Sequence, residues 1–227
     1  MRNVIASAFI SLDGVMQAPG GPDEDPTGGF KYGGWTAPYF DDAVGKSMDR
    51  IFSKPFDLLL GRRTYEIFAA FWPYAEGGPD DVIARSFNTA TKYVATRLGA
   101  PLTWGNAIAL PDAAAGVAEL KRQSGPDLLV QGSSVLLQTL LAHALIDRID
   151  LLVFPVVLGS GKRFFGGRAK PTALKLESST GSPSGVTMNS YTPAGPVMTG
   201  SFASEKPSEA ELARREKLKR EDAAPAR

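Results

Sequence analysis

Leu58-Leu59-Leu60-Gly61-Arg62-Arg63-Thr64-Tyr65-Glu66 is the stretch whose reading decides the fold. From Phe56 to Leu60 the chain is apolar throughout except for Asp57 and too short for a helix, as a strand covered on both faces of a sheet must be. Gly61 ends the run, and two guanidinium groups and a hydroxyl follow. Tyr65, Phe68, Ala69 and Trp72 then recur at helical spacing until Pro73 closes the pattern. A strand that turns straight into a helix leaves unpaired backbone N–H groups facing the space beyond the sheet edge. Gly61, Arg62, Arg63 and Thr64 therefore read either as an anion site or as a solvated helix start, and the rest of the chain has to decide.

Upstream, Val4 to Leu12 is apolar and β-branched and enters the Asp13-Gly14 turn, a central strand that delivers Asp13 to its carboxyl end. Gln17 to Trp35 is dense in Gly and Pro and reads as a long surface loop. Thr36 opens a helix with Pro38 in its first turn, Asp41 and Asp42 near its positive end, and Phe40, Val44, Met48 and Ile51 on one face. Downstream, Val82, Ile83 and Phe87 mark a short helix, and Tyr93 to Ala95 a strand ending in Thr96-Arg97. Asp112 caps a helix through Val117 and Leu120 that stops at Gly125. Asp127 to Val130 is a buried strand entering Gln131-Gly132-Ser133-Ser134, and Val135 to Ala142 a helix apolar nearly all round. Ile149 to Val157 is a further apolar strand, running into Leu158-Gly159-Ser160-Gly161-Lys162-Arg163.

Beyond it the period changes. Leu174 and Leu176, then Val186 and Met188, alternate with polar neighbours, as antiparallel strands with one wet face do, and Pro196 to Phe202 closes the set. From Ser204 the chain is charged and Ala-rich, with Glu211 and Arg215, then Glu216 and Arg220, at helix-supporting spacing. It reads as a solvated helix or a disordered tail. The fold class is α/β: a single domain over residues 1–203, with a mixed, mostly parallel central sheet flanked by helices and C-terminal antiparallel strands. Residues 204–227 form a charged tail.

Composition narrows the chemistry. The 227 residues are 43% hydrophobic, enough for a sizeable core, and a net charge of +1 sets up no global field toward nucleic acid or an anionic membrane. With no cysteine, disulfides, a thiolate nucleophile and a cysteine-ligated zinc are excluded. With His143 as the one histidine, so is a multi-histidine metal site, and no metal is expected. No apolar run approaches the ~20 residues that span a bilayer, and the N-terminus lacks a signal-peptide pattern. A cytoplasmic protein without membrane or nucleic-acid partners is the expectation.

Four strand ends are candidates for one cleft: Asp13-Gly14, Gly61 to Thr64, Thr96-Arg97 and Gly132 to Ser134. In an open α/β sheet, ligands bind beyond the carboxyl ends of the strands. Gly61 lets a phosphate approach the backbone, with Arg62 and Arg63 to bond it. Thr96-Arg97 suits a 2′-phosphate, and Gly132-Ser133-Ser134 opens a buried helix on which a pyrophosphate can lie. No Gly-x-Gly-x-x-Gly follows the first strand, so an ordinary Rossmann fingerprint is absent.

Ser11-Leu12-Asp13-Gly14, Gly61-Arg62-Arg63-Thr64-Tyr65-Glu66, Phe71-Trp72-Pro73 and Val157-Leu158-Gly159-Ser160-Gly161 occur in the order seen in the dihydrofolate reductase-like family. Over Met1 to Phe202 the chain resembles that family's riboflavin-biosynthesis branch. This branch comprises the reductase domain of the bifunctional deaminase-reductase and its stand-alone relatives. The resemblance implies NADPH-dependent hydride transfer to a C=N or C=O carbon of a small heterocyclic or sugar-imine substrate. The model reaction is that of the phosphoribosylamino-pyrimidine reductase of riboflavin biosynthesis. It also implies a homodimer. It carries Gly61, Arg62, Arg63 and Thr64 to a phosphate-binding helix start, Thr96 and Arg97 to the adenosine 2′-phosphate, and Gly132, Ser133 and Ser134 to the pyrophosphate. Asp13 and the Leu158 to Lys162 loop border nicotinamide and substrate.

For the substrate side two readings stand at each residue. Asp13 orients substrate or relays a proton, or simply forms an Asp-Gly turn. Lys162, with Ser160 between Gly159 and Gly161, binds a substrate phosphate, or Lys162 is a solvated loop lysine. Trp35 covers the ligand or staples the loop to the next helix, and Asp42 meets substrate or complements the helix dipole. Authentic folate reduction and nucleotide binding without turnover are the alternative functions.

Overall fold

The computed structural model describes residues 1–78, 80–97, 99, 101–167, 169–202 and 206–223. Met1–Pro196 is one compact unit and Val197–Arg227 a second; the expected boundary at residues 203 and 204 lies outside the described residues. The first unit is built on one eight-stranded sheet. Its strands are β1 (Val4–Ser11), β2 (Phe56–Gly61), β3 (Lys92–Ala95), β4 (Ala107–Leu110), β5 (Asp127–Gln131), β6 (Arg148–Phe154), β7 (Leu174–Gly181) and β8 (Thr187–Pro193). Their order is β4-β3-β2-β5-β1-β6-β8-β7. The strands from β4 to β6 in that order run parallel, and β8 is antiparallel to both β6 and β7. The helices of this unit are α1 (Asp42–Phe52), α2 (Arg62–Ala69), α3 (Asp81–Thr89), α4 (Ala113–Arg122) and α5 (Ser134–Ala142).

Successive strand side chains point to opposite faces, and the cores follow that alternation. Val4, Ala6, Ala8 and Ile10 of β1 pack with Leu128 and Val130 of β5 under Val117 of α4 and Leu137 of α5. The opposite face has two half-cores. Leu152 and Phe154 of β6 meet Val44 of α1 and Trp35. Leu58 and Leu60 of β2 meet Tyr65 of α2 and Phe87 of α3. Leu58, Leu59 and Leu60 are all fully buried, which explains why the opening stretch is apolar without alternation. Truncating any of them to Ala should cost about 2–5 kcal/mol.

A buried pair of charges ties the sheet at the end away from the strand carboxyl ends. Arg2 pairs with Asp57, their side chains 3% and 12% exposed. The other Asp57 oxygen accepts from the backbone N–H of Thr91 at 3.1 Å, which fixes the entry to β3.

Several local expectations change. Thr36 does not open α1: its hydroxyl donates to the Pro19 carbonyl at 2.7 Å, and Ala37–Tyr39 makes a single 3-10 turn. Asp41 is the cap, accepting from the N–H groups of Ala43 and Val44 at 3.0 Å each, as a short carboxylate does well. β6 stops at Phe154 rather than Val157, because Pro155 has no N–H to continue the ladder. The Gln17 to Trp35 loop carries its own apolar anchor, with Ala18, Phe30 and Trp35 buried. Pro196 to Phe202 forms no strand; Gly195, at φ +95°, and Pro196 break the chain after β8. β7 is exposed on both faces rather than one, along all eight of its residues.

The second unit contains α6 (Glu209–Asp222), capped by Ser208 and without a buried residue. Glu211 holds Arg214 and Arg215 at 2.6 and 2.9 Å, so this is a solvated helix supported by its own charge pairs.

Candidate active site

A cleft of about 1660 Å³ opens between the two half-cores and runs along the carboxyl ends of β2 to β5. Its first arm brings together three groups that are distant in sequence: Gly61 to Thr64, Thr96-Arg97 and Gly132 to Ser134. α2, α3 and α5 have no side-chain cap at their N-termini, whereas α1 and α4 are capped by Asp41 and Asp112. The starts of α2 and α5, which follow the neighbouring strands β2 and β5, thus offer backbone N–H donors and positive dipole ends to the same space.

The two turns are stitched to each other. The Ser133 hydroxyl accepts from the Gly61 N–H at 2.8 Å and donates to the Thr64 hydroxyl at 2.6 Å. A Cβ on Gly61 would lie 3.0 Å from the Ser133 oxygen, so this glycine makes room for a side chain rather than for a phosphate. Gly132 and Ser133 are consecutive left-handed residues, at φ +80° and +66°. For Ser133 that conformation is strained, and strain of this kind gathers at functional turns. Beside them the Gln131 side-chain nitrogen is buried with no hydrogen-bond partner, although Gln131 lines the cleft. An orphaned donor of this kind calls for an acceptor from outside the chain.

The cations are distributed differently from expectation. Arg62 pairs with Glu66 at 2.6 Å and lies over the Tyr65 ring, 5.9 Å from its centroid. Arg63 reaches across the cleft to Asp25 at 3.3 Å and to the Thr27 hydroxyl at 2.7 Å. Lys162 pairs with the other oxygen of Asp25 and also donates to Thr27 at 2.9 Å. Burial would raise the Asp25 carboxyl, but the Lys162 ammonium and the Thr27 hydroxyl outweigh it and leave it lowered. Arg63 and Lys162 therefore clamp the 17–27 loop over the cleft. Thr96 is buried, its N–H on the Leu110 carbonyl at 3.2 Å, and Arg97 is exposed at the rim.

Five residues expected near the substrate do not line the cleft: Trp35, Asp42, Gly159, Ser160 and Gly161; Asp13, expected to be catalytic, does not line it either. The Asp13 carboxylate accepts from the Ser11 hydroxyl at 2.6 Å and from the N–H groups of Leu158 and Gly159 at 3.0 and 2.9 Å. These bonds, with Ser11 foremost, hold its pKa down to about 2; Arg163 adds an ion pair at 3.3 Å. Asp13 is a clamp between two turns. Trp35 is buried against Phe154 and donates to the Gln17 carbonyl at 2.8 Å, which makes it the loop's anchor. Asp42 sits exposed in the first turn of α1, where a carboxylate favours the helix dipole. Gly161 is held at φ +123°, where a Cβ would strike Val15 at 2.6 Å.

The second arm was not anticipated. Gly45, Met48, Asp49 and Phe52 of α1 line one side of it at i, i+3, i+4 and i+7, facing Phe68, Phe71 and Trp72. The apolar face read from the sequence does pack inward, with Val44 buried and Met48 and Ile51 against the same core; Asp49 and Phe52 sit on the adjoining face, which apolar spacing does not mark. Glu24 lines the same arm, accepting from the Gly20 N–H at 2.6 Å, and burial raises its pKa. Among the described residues no group of three or more His, Cys, Asp or Glu is arranged to hold a metal ion.

A family model described as the RibD C-terminal domain matches residues 2–188. YyaP of Bacillus subtilis (strain 168), an uncharacterized protein, is 26% identical over 197 residues, covering 84% of this chain and 94% of its own. Two solved structures share the fold. One is a protein of Shewanella sp. PV-4 assigned to riboflavin biosynthesis: TM-score 0.54, 20% identity, covering 86% of this chain and 99% of that one. The other is a pyrimidine reductase-like protein of Corynebacterium diphtheriae: TM-score 0.54, 14% identity, covering 85% and 92%.

Proposed function

The chain belongs to the RibD C-terminal domain family, and from that membership we propose that it is an NADPH-dependent reductase of a C=N or C=O carbon in a small heterocyclic or sugar-imine substrate. The observation that carries the reading is the pair of uncapped helix starts, α2 and α5, opening onto one cleft beside Thr96 and Arg97. In this reading the N–H groups at Arg62 to Thr64 and at Gly132 to Ser134 hold phosphate oxygens. Thr96 and Arg97 meet the 2′-phosphate, with Arg62 joining them from the neighbouring strand end, since Gly61 and Ala95 are register partners. When bound, NADPH supplies a hydride to the electrophilic carbon while the adjacent nitrogen or oxygen takes a proton, so that one double bond is reduced and NADP⁺ remains.

The chain's own residues do the rest. Glu24 lines the cleft with its pKa raised by burial, and it is the proton donor of this proposal. Asp49 orients the substrate from α1. The Arg63–Asp25–Lys162 clamp holds the loop over the cleft and keeps water out. Following NADPH absorbance against a panel of cyclic imines and carbonyl compounds tests the reading. Oxidation that needs one of them, and that Glu24→Gln abolishes while NADPH still binds, is expected. Binding without oxidation across the panel would leave a nucleotide-binding protein without turnover.

Asp49 also favours a second reading, folate-type reduction, because it supplies the first-helix acid that such chemistry uses; dihydrofolate belongs in the same panel. We further propose that the chain works in the cytoplasm and as a homodimer. Among the described residues no helix is long and apolar enough to cross a membrane. The outer strand β7, exposed along its length with Leu174 and Leu176 outward, is the face that supports pairing. Light scattering that reads two chains per particle is the expected result.

A further inference from the structure

Serine is among the best N-cap residues, because its hydroxyl accepts from the second or third N–H of the helix that it precedes. Ser133 stands in that position at the start of α5 and makes no such bond. Its carbonyl opens the helix, accepting from the Leu137 N–H at 2.9 Å. Its backbone, however, is left-handed, with φ 66° and ψ 72°, and its hydroxyl turns to the neighbouring helix. There it accepts from the Gly61 N–H at 2.8 Å and donates to the Thr64 hydroxyl at 2.6 Å. The two turns pack closely around this tie. A Cβ on Gly61 would meet Ser133 and Leu136, and one on Gly132 would lie 3.7 Å from the Thr64 methyl. A hydroxyl has one proton to give. That of Ser133 is spent on Thr64, so Ser133 has none left for an ionised phosphate oxygen, which only accepts. Thr64 receives that bond and donates none among the described residues, although it lines the cleft.

From this series of bonds, and resting on the reading of the cleft as a nucleotide site, we propose that Ser133 is a positioning residue. It holds the Thr64 hydroxyl as an acceptor, so that the Thr64 proton is left for a pyrophosphate oxygen of the nucleotide. The series runs in one direction, from the Gly61 N–H through Ser133 and Thr64 to the phosphate, and each bond in it polarises the next. By the same turn of its side chain, Ser133 leaves the first N–H groups of α5 uncapped for neighbouring phosphate oxygens. The left-handed backbone of Ser133 is what permits this, since an extended N-cap would send the hydroxyl back to its own helix. Ser133 therefore acts on the nucleotide through Thr64 and not by a side-chain contact of its own.

Isothermal titration of NADP⁺ and of adenosine 2′-monophosphate into the wild type, Ser133→Ala, Thr64→Val and the double variant tests this. Ser133→Ala should weaken NADP⁺ by about fivefold and Thr64→Val by about tenfold, as the loss of one hydrogen bond does. With Val already at position 64, Ser133→Ala should change the affinity by less than about twofold, because the group it positions is gone. Adenosine 2′-monophosphate carries no pyrophosphate and should bind all four proteins alike, whereas a general loosening of the site would weaken it too. Should Ser133→Ala fail to fold, Ser133→Gly, at ease in a left-handed turn, is expected to show the same loss and the same dependence on Thr64. Three results would overturn the proposal and leave the nucleotide reading standing: equal NADP⁺ affinity with and without the Ser133 hydroxyl, the same loss whether or not Thr64 is present, or a parallel loss of adenosine 2′-monophosphate. A wild type that takes up no NADP⁺ overturns that reading, and this proposal with it.

Discussion

At Gly61 the backbone is ordinary, with φ −77° and ψ 157°, and any residue could adopt it. Its glycine is required by Ser133, whose oxygen would stand 3.0 Å from an added Cβ and which also holds Thr64. Gly61→Ala should push Ser133 off both partners and loosen together the two turns proposed to hold phosphate. The expected cost is about 1–3 kcal/mol in chemical denaturation, with weaker NADPH binding by fluorescence titration. Lys92 poses a different problem. It is fully buried on β3, donating to the Asn88 carbonyl at 2.6 Å with its ammonium 4.4 Å from the Trp104 ring centre. Burial pushes its pKa down to about 8 from 10.5. Between those values the unfolded chain binds more proton than the folded one, so stability should rise with pH from about 8 to 10.5. Lys92→Met keeps most of the volume and removes the titration; its stability should be flatter across that window. A variant with an unchanged slope would show that the lysine is not the source.

Among the elements, α1 shows what a capping residue decides. Asp41 accepts from Ala43 and Val44 and, with its other oxygen, from the Ser184 N–H at 3.0 Å, joining the helix start to the turn between β7 and β8. Those backbone bonds, Val44 first, hold its pKa down to about 2 from 3.8. The stabilisation is therefore complete above about pH 3.8 and is lost as pH falls toward about 2. Asp41→Asn retains an acceptor but not the titration, so its melting temperature should fall less steeply over that interval. Apolar periodicity located this helix and its core face, where Val44 is buried with Met48 and Ile51 packed beside it, but it did not locate the start, and Phe40 lies before the helix. The cleft is lined by the adjoining face, with Gly45, Asp49 and Phe52, whose mixed polarity writes no periodic signal. The strands were legible because burial on both faces writes itself as a continuous apolar run, as at Leu58 to Leu60.

At the scale of the molecule, the sheet order places β5 between β2 and β1, so that the helices after β2 and β5 begin side by side although 72 residues separate Gly61 from Ser133. The meeting of Gly61 to Thr64, Thr96-Arg97 and Gly132 to Ser134 in one cleft was legible because each is a local turn signal at a strand end. The lining from α1, the loop at Glu24 and the far end of α2 was not, because only tertiary packing assembles it. Asp13 misled for the related reason that an Asp-Gly turn at a strand end looks the same whether its carboxylate faces a ligand or ties down a neighbouring loop. The central proposal is that the first arm holds a nucleotide with a 2′-phosphate. Its most direct test is the affinity of the wild type and of the Arg62→Ala/Arg97→Ala variant for NADPH and for NADH, read by quenching of tryptophan fluorescence. Losing two charge-assisted contacts should weaken NADPH by about tenfold or more while NADH changes little. Equal affinities for the two nucleotides, in the wild type and in the variant alike, would contradict it.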